Sequence, residues 1–437
     1  VNTKVDSCLF NQITILRMNT QKLQTELEAR GLIAQTGGGE LSEILSQKRT
    51  MYVGVDPTAD SMHMGNLVPI ILMKHLSDAG HLPFLLVGGA TGMIGDPKEG
   101  GERSLLDDKT LQKNISAIKG QLEGLLETKS LKVVNNADWL KKVKLIDFLR
   151  DIGKHFTVNQ LIKRDVIKRR LETEEDSISY TEFSYALLQG YDYLYLNEKF
   201  NVDLQLGGSD QWSNIISGVD LIRRKHATSA YALTAPIITD KATGKKFGKS
   251  EGNAIWLDPK KTSPLAFYQF WLNVSDANVA DYLKIFSFSS LKKIDSTIEK
   301  HLAEPQTRLA QKQLARDVTT FVHGGEITKS IQKVTELLYG TKRISMLTPT
   351  DKQLIINETK SLGQTKAQAS KGLGIIDALV NLELASSKSE ARRLIEGNAV
   401  KIHQKAVTVD YLVTQSDYKD GLVLIKKGKS HGALYLK

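Results

Sequence analysis

Cysteine is nearly absent from this chain: one residue, Cys8, among 437. A single thiol excludes an internal disulfide and any zinc site built on several cysteines, and it suits a reducing compartment. Long apolar runs are missing as well. A membrane-crossing helix needs roughly 18 or more apolar residues in succession, and the best stretch, Leu67–Met73, is far shorter and contains Pro69. The first 17 residues lack the apolar core of a secretory signal. With Asp6 among them and only Lys4 and Arg17 as cations, they also make a poor organellar presequence. They read as an extension of unknown role ahead of the helical pattern that starts at Met18. These absences point to the cytoplasm, with an organelle as the alternative.

Two nucleotide-binding signatures are also wanting. "GKKFGKS", Gly244–Ser250, ends like a phosphate-binding loop, but only three residues separate its glycines where four are required. The chain then continues Glu251-Gly252-Asn253, which is poor material for the helix such a loop must open. "GGATGMIGDP" lacks the glycine order of a dinucleotide fingerprint. What is present is a 41% hydrophobic content, ample for two or three domains, and a formal charge of +10 that suits a polyanionic partner.

Between about residues 50 and 260, short β-rich apolar runs alternate with helical stretches. "MYVGVD" and "LPFLLVGG" read as strands on either side of a helix, "NLVPIILMKHLSDAG", in which Pro69 is tolerable near the first turn and Gly80 is a stop. Strand, helix, strand over so short a span implies a parallel pair with a right-handed crossover. Further strands are expected at 132–135, 202–206 and 231–238, giving an α/β sheet with helices on both faces. After Pro264 the pattern is helical, residues 346–370 are polar and linker-like, and a compact basic module closes the chain. From residue 371 onward, 11 Lys/Arg stand against 7 Asp/Glu. In that module Ser387 and Glu390 have the spacing of a capping box for the helix "SEARRLIEGN".

Four segments of the α/β region carry unusual polar groups, and three directly follow strands, where an open parallel sheet gathers its ligands. After the first comes Asp56-Pro57-Thr58, then His63-Met64-Gly65-Asn66 at a helix start, where free N–H groups and the dipole favour a phosphate. Taken alone, His63 reads first as a surface histidine beside a capping residue. After the second strand, four glycines precede Asp96, as in a backbone held close to a small ligand or in a tight turn. In "YTEFSYALLQGYDY", Tyr185, Gln189 and Asp192 share one helix face; such groups either satisfy one another or wait for a polar ligand. "LQLGGSDQWSN" sets Gly208, Asp210 and Gln211 after a further strand.

These motifs, in this order, carry a resemblance. His63-Met-Gly-Asn66 resembles the first signature of class I aminoacyl-tRNA synthetases, and Lys246-Phe-Gly-Lys249-Ser250 their second, a mobile lysine loop. With "GVDPTADSMHMGN", "GGATGMIGDP", "SISYTEFSYALLQGYD" and "LQLGGSDQW", the chain resembles bacterial-type tyrosyl-tRNA synthetases from about residue 18 to its end. Asn66 stands where the family usually has histidine; it still donates a hydrogen bond but supports no proton chemistry. The segment after Asp96 is one residue shorter than the family's, leaving Lys98 displaced and Arg103 the better fit for a family cation.

The resemblance implies a Rossmann-like catalytic domain over 18–260 with its lysine loop at 244–252. A helical domain of anticodon-binding type over 261–345, a linker over 346–370 and an S4-like RNA-binding domain over 371–437 would follow. The activity implied is tyrosine–tRNA ligation, with ATP as substrate, Mg²⁺ arriving with ATP rather than on a protein metal site, and a homodimer as the assembly. By the same resemblance Thr58, His63, Asn66, Lys246 and Lys249 stabilise the reacting phosphates. Tyr52 and Asp192 hold the substrate phenol, and Asp96, Tyr185 and Gln189 its ammonium. Gln205, Asp210 and Gln211 line the amino-acid and ribose side. Gly54, Asp56, Gly65, Gly208 and Ser250 belong to the nucleotide and adenylate site. Arg103, Lys388, Arg392, Arg393, Lys401 and Lys405, with Lys426, Lys427 and Lys429, would meet tRNA phosphates. A tryptophan-specific sister enzyme and a catalytically inactive S4-type RNA-binding protein are the competing readings.

Overall fold

Apolar runs that end in turn residues become strands in the computed structural model, which describes residues 20–96, 107–128, 130–172, 177–241, 244, 249–250, 253–340, 347–428 and 430–437. Six of them, β1 (Gln35–Gly37), β2 (Thr50–Val55), β3 (Leu82–Val87), β4 (Lys132–Asn135), β5 (Val202–Gly208) and β6 (Tyr231–Ala235), form one sheet in the order β1-β6-β5-β2-β3-β4. All neighbours are parallel except β1, which runs antiparallel along the edge of β6. β1 escapes sequence reading because three residues are too few to show a period. β6 stops three residues short of the expected end because Pro236 brings no N–H to the ladder.

From β2 the chain winds outward through β3 to β4, then returns to place β5 on the other side of β2. That reversal opens a crevice beyond the carboxyl ends of β2 and β5. The helix Met64–Asp78 buries eight apolar side chains, and Trp212–His226 packs beside Tyr180–Phe200. Pro69 stands in the second turn rather than the first, since the helix begins at Met64. Its missing N–H leaves the Gly65 carbonyl without an intrahelical donor.

Two compact units result, Val1–Asp258 with Ser275–Ala310, and Pro259–Val274 with Gln311–Lys437. The stretch expected as one helical domain over 261–345 is therefore shared between them. Arg30 supplies a reason: its guanidinium donates to the carbonyls of Lys284, Ser287 and Ser289 at 3.0, 2.5 and 2.7 Å, fastening the end of the helix Asp276–Phe286 to the first unit.

In the second unit, the expected linker over 346–370 is instead structured. Thr348 caps the helix Pro349–Glu358 in a capping box with Asp351, and Lys360–Gln364 adds a parallel edge strand to Ser430–Leu436. The polar composition of an exposed edge strand hid it. Ser387 does cap the helix Lys388–Glu396, but the Glu390 carboxylate reaches one residue further back, to the N–H and hydroxyl of Ser386.

Candidate active site

His63 caps the helix Met64–Asp78 where Ser, Thr or Asp would be usual. Its Nδ1 accepts from the Gly65 N–H at 3.0 Å, so the neutral ring carries its proton on Nε2. Asn66 completes the cap by accepting the His63 N–H on Oδ1 at 3.1 Å, which commits its oxygen and leaves its NH₂ as the donor. Gly65 is exposed at the helix start, and Thr58 is exposed on the loop after β2.

The second signature reaches this helix start through the backbone. Lys249–Ser250 pairs antiparallel with Asn253–Ala254. The following residues then join the His63 segment: Met64 donates to the Ile255 carbonyl and Leu257 to the Met62 carbonyl, both at 2.9 Å. His63 and Trp256 form the bridge between these bonds, their rings edge-on at 6.0 Å. Lys246 lies outside the described residues, and Lys249 and Ser250 are described by their backbone. Beside the same helix start, Met64, Gly65, Pro69, Gly208, Asp210 and Ile237 line a small cavity.

The other end of the crevice is buried. Tyr52 on β2 and Gln205 on β5 are register partners, 0% and 2% exposed, and both the Tyr52 hydroxyl and Gln205 Oε1 lack a hydrogen-bond partner among the described residues. An unmade bond on a buried polar atom costs about 1–3 kcal/mol, so two such atoms side by side on one sheet face make this a candidate place for a polar ligand. Asp192 is 1% exposed and accepts from Trp139 Nε1 at 2.7 Å and Asn136 Nδ2 at 2.9 Å. Burial pushes its carboxyl up to about 7, against the pull of those two donors and with Asp56 adding to the rise. Burial likewise drives the Tyr52 hydroxyl well above its ordinary value, with Tyr193 and Asp192 reinforcing it.

A chain of bonds runs from this floor to the loop after β2. Asn136 also donates to Thr91, Thr91 donates to Asp56 Oδ1 at 3.1 Å, and the Tyr185 hydroxyl donates to Asp56 Oδ2 at 3.2 Å. Gly88 is required here, because a Cβ would lie 2.2 Å from Asp56 Oδ1 and 2.5 Å from Thr91 Oγ1. At Gly54 a Cβ would meet only Leu86, at 3.8 Å, so the fold makes no demand for glycine and leaves open space above β2. Asp96 is held by Gln211 and Asn214. The half-buried Gln189 amide makes no hydrogen bond among the described residues. Thus the stripe of Tyr185, Gln189 and Asp192 does not pair within itself; its members face different neighbours.

In the second unit Arg392, Arg393, Lys401 and Lys405 are exposed and form no ion pair among the described residues. Lys388 is paired with Asp377 at 2.8 Å, and Lys427 with Glu390 at 3.3 Å and the Leu384 carbonyl at 2.7 Å. Lys401 stands opposite Lys426, and Lys426 opposite His431, on adjacent antiparallel strands. Arg103, Lys98 and Lys429 lie outside the described residues.

Sequence reading missed Thr91, Asn136, Trp139, Arg164 and Asn214. A signal existed for two of them, since Asn136 and Trp139 follow the carboxyl end of β4, and an open parallel sheet gathers its ligands beyond the carboxyl ends of its strands.

Comparison with known proteins comes to the same place. The family described as tRNA synthetases class I (W and Y) matches residues 46–340, and the Tyrosine--tRNA ligase SYY-like C-terminal domain matches 355–435. A tyrosine–tRNA ligase of Lactococcus lactis subsp. cremoris is 47% identical over 413 residues, 92% of this chain and 97% of the relative. One from Laribacter hongkongensis is 45% identical over 426 residues, 95% and 99% of the two chains. Among solved structures, a C-terminally truncated mitochondrial tyrosyl-tRNA synthetase of Coccidioides posadasii aligns with a TM-score of 0.64 at 28% identity, covering 76% of this chain and 97% of that one. A tryptophanyl-tRNA synthetase of Encephalitozoon cuniculi shares the fold, with a TM-score of 0.54 at 14% identity.

Proposed function

This chain belongs to the class I tyrosyl-tRNA synthetases, and from that premise we propose how its residues divide the work of a tyrosine–tRNA ligase. The enzyme joins tyrosine to ATP as tyrosyl-adenylate, releasing pyrophosphate, and then passes the tyrosyl group to the 3′ end of its tRNA. In the first step a tyrosine carboxylate oxygen attacks the α-phosphorus and the bond to pyrophosphate breaks. No enzyme nucleophile is needed; the demand is in-line positioning and donors aimed at oxygens that gain charge.

His63 Nε2–H, the Asn66 NH₂ and Thr58 supply donors from the helix start. Lys246 and Lys249 close over the β- and γ-phosphates from the other side. Gly54, Asp56, Gly65, Gly208, Asp210, Gln211 and Ser250 line the nucleotide and adenylate. Tyr52 and Asp192 take the phenol hydroxyl, Gln205 lines the amino-acid side, and Asp96, Tyr185 and Gln189 receive the ammonium. Mg²⁺ enters with ATP as the counter-ion of its phosphates.

The observation that supports this division is the backbone bridge between Met62–Met64 and Ile255–Leu257, which ties the chain just after the second signature to the first. Preference for tyrosine over tryptophan rests on the floor, where a buried carboxylate and a buried hydroxyl await a hydroxyl group.

A homodimer is supported by the placing of exposed apolar side chains. Seven of the sixteen large ones among the described residues fall between 145 and 180, including Leu145, Ile146, Val158 and Tyr180, each more than 60% exposed. So dense an apolar display suits burial against a second copy. Arg392, Arg393, Lys401 and Lys405, with Lys388 and Arg103, meet tRNA phosphates, and the cytoplasm is the compartment we propose.

Tyrosine-dependent exchange of labelled pyrophosphate into ATP, run without tRNA, tests the reading. Exchange should appear with tyrosine and be negligible with tryptophan or phenylalanine. Exchange supported by tryptophan alone would favour the sister specificity, and none with any amino acid would favour an RNA-binding protein.

A further inference from the structure

Both oxygens of Asp96 are engaged by amides of one helix, Trp212–His226, and its approach. Gln211 Nε2 donates to Oδ2 at 3.0 Å and Asn214 Nδ2 to Oδ1 at 3.1 Å; the same Asn214 nitrogen lies 3.3 Å from Gln211 Oε1. A side-chain amide can face either way with almost no change of shape, so something must decide which way Asn214 faces. Arg164 decides it. A guanidinium only donates and an ionised carboxylate only accepts. An amide between them satisfies both in a single orientation, with oxygen to arginine and nitrogen to aspartate. Arg164 Nη1 donates to Asn214 Oδ1 at 2.8 Å, as that orientation requires.

Arg164 is itself fixed. Its Nη2 donates to the Ser213 carbonyl at 3.2 Å and to the Ser217 hydroxyl, and Ser217 in turn donates to the Ser213 carbonyl at 2.9 Å. Its fork therefore grips one turn of the helix that carries Asn214. It forms no ion pair among the described residues. Burial lowers its pKa to about 10 while Asp96 works against the fall, so the group stays charged at neutral pH.

We infer that Arg164 is a positioning residue for amino-acid recognition: by fixing the Asn214 amide it holds Asp96 turned to receive the substrate ammonium. The inference rests on the proposed role of Asp96. Without the Arg164 donor, Asn214 Oδ1 loses its partner and the amide is no longer anchored from behind, so it can swing away from the carboxylate and free Asp96 from its place. The effect falls on ligands that carry an ammonium and spares those that do not.

The test uses the full chain, with tyrosine-dependent pyrophosphate exchange and two competitive inhibitors. Tyrosinol keeps the phenol and the ammonium; 3-(4-hydroxyphenyl)propanoate keeps the phenol and lacks the ammonium. Arg164→Met should raise the KM for tyrosine and the inhibition constant of tyrosinol about tenfold, the scale of one hydrogen bond to a charged group. The KM for ATP and the inhibition constant of the propanoate should move by no more than about twofold, since neither ligand feels Asp96 as a partner for ammonium. Arg164→Lys, which keeps a donor, should recover most of the loss. Asn214→Leu, which keeps the shape and breaks the relay at its middle, should show the same selectivity and serves if Arg164→Met does not fold. Asp96→Asn separates the two ideas. If it leaves tyrosinol binding intact, the ammonium role of Asp96 is wrong and the inference falls with it. If it weakens tyrosinol while Arg164→Met and Asn214→Leu do not, or if these two weaken the propanoate and ATP equally, the positioning role alone is overturned.

Discussion

The two ends of the crevice are built on opposite plans. At the floor, Tyr52, Asp192 and Gln205 are at most 2% exposed, and Asp192 is gripped by Asn136 and Trp139 from another part of the sheet. At the helix start, Gly54, Thr58, Gly65 and Asp210 are exposed, and the second signature is attached by a short hairpin and backbone bonds. The contrast follows from what each end must do. A phenol hydroxyl is small and leaves unchanged, so a dry, finished site recognises it best. Pyrophosphate forms during the reaction and must depart, so an exposed helix start suits the donors proposed for it. On the proposed division, the floor selects and the open end accelerates.

The largest effect should come from spoiling the floor. Asp192→Asn removes the charged acceptor and should cut the preference for tyrosine over phenylalanine about a hundredfold, the loss of about 3 kcal/mol for a hydrogen bond to a charge in a dry site. Comparing kcat/KM for the two amino acids reads it directly; an unchanged ratio would erase the proposed contrast.

A pH series sharpens the same point. The folded chain raises the Asp192 pKa from 3.8 to about 7. Between those values the folded apo chain holds a proton the unfolded chain has lost. The stability this group contributes is therefore full below about pH 4, falls as pH rises to about 7 and is constant above that, a change of a few kcal/mol at most. In Asp192→Asn the thermal midpoint should lose that slope. On the proposed role, the phenol of tyrosine donates to the carboxylate and lowers its pKa, so binding near pH 6.5 should release part of a proton, seen calorimetrically as a heat that varies with the buffer. Uptake of protons instead would mean that Asp192 binds substrate in its neutral form.

The smallest effect lies in the second unit, whose basic face follows the open plan. Lys401 and Lys426 face each other across adjacent strands. Lys401→Gln should therefore raise stability by about 0.5 kcal/mol through relief of a like-charge pair. It should also reduce the salt dependence of tRNA binding by about 0.8 in the log–log slope, one phosphate contact. A stabilised variant with an unchanged slope would remove Lys401 from the RNA-facing surface.

Legibility in the sequence follows the same division. β2, β3, β5 and β6 announce themselves because buried parallel strands are rich in apolar residues, and the loops that leave β2, β3 and β5 stand out through glycine and acidic residues. The donors proposed for the open end stand out in the sequence because they lie in two short contiguous motifs, around His63 and Lys249. The floor was only half readable. Asp192 is conspicuous on an apolar helix, but the residues that grip it, Asn136 and Trp139, lie more than fifty positions away in "NNADWL", where nothing looks unusual. Arg164 was invisible, one cation among many in "IKRDVIKRR", and only the bonds to Asn214 distinguish it. β1 and the strand Lys360–Gln364 were lost because short edge strands carry little period.

The most direct test of the division between floor and open end is single-turnover formation of tyrosyl-adenylate, with tyrosine affinity measured alongside, in Lys249→Ala and Asp192→Asn. The account predicts that Lys249→Ala slows adenylate formation about a hundredfold, the scale of losing one preorganised charge partner, and leaves tyrosine affinity nearly unchanged. Asp192→Asn should weaken tyrosine affinity as its main effect. A large loss of tyrosine binding in Lys249→Ala, or the same parameter failing in both variants, would contradict it.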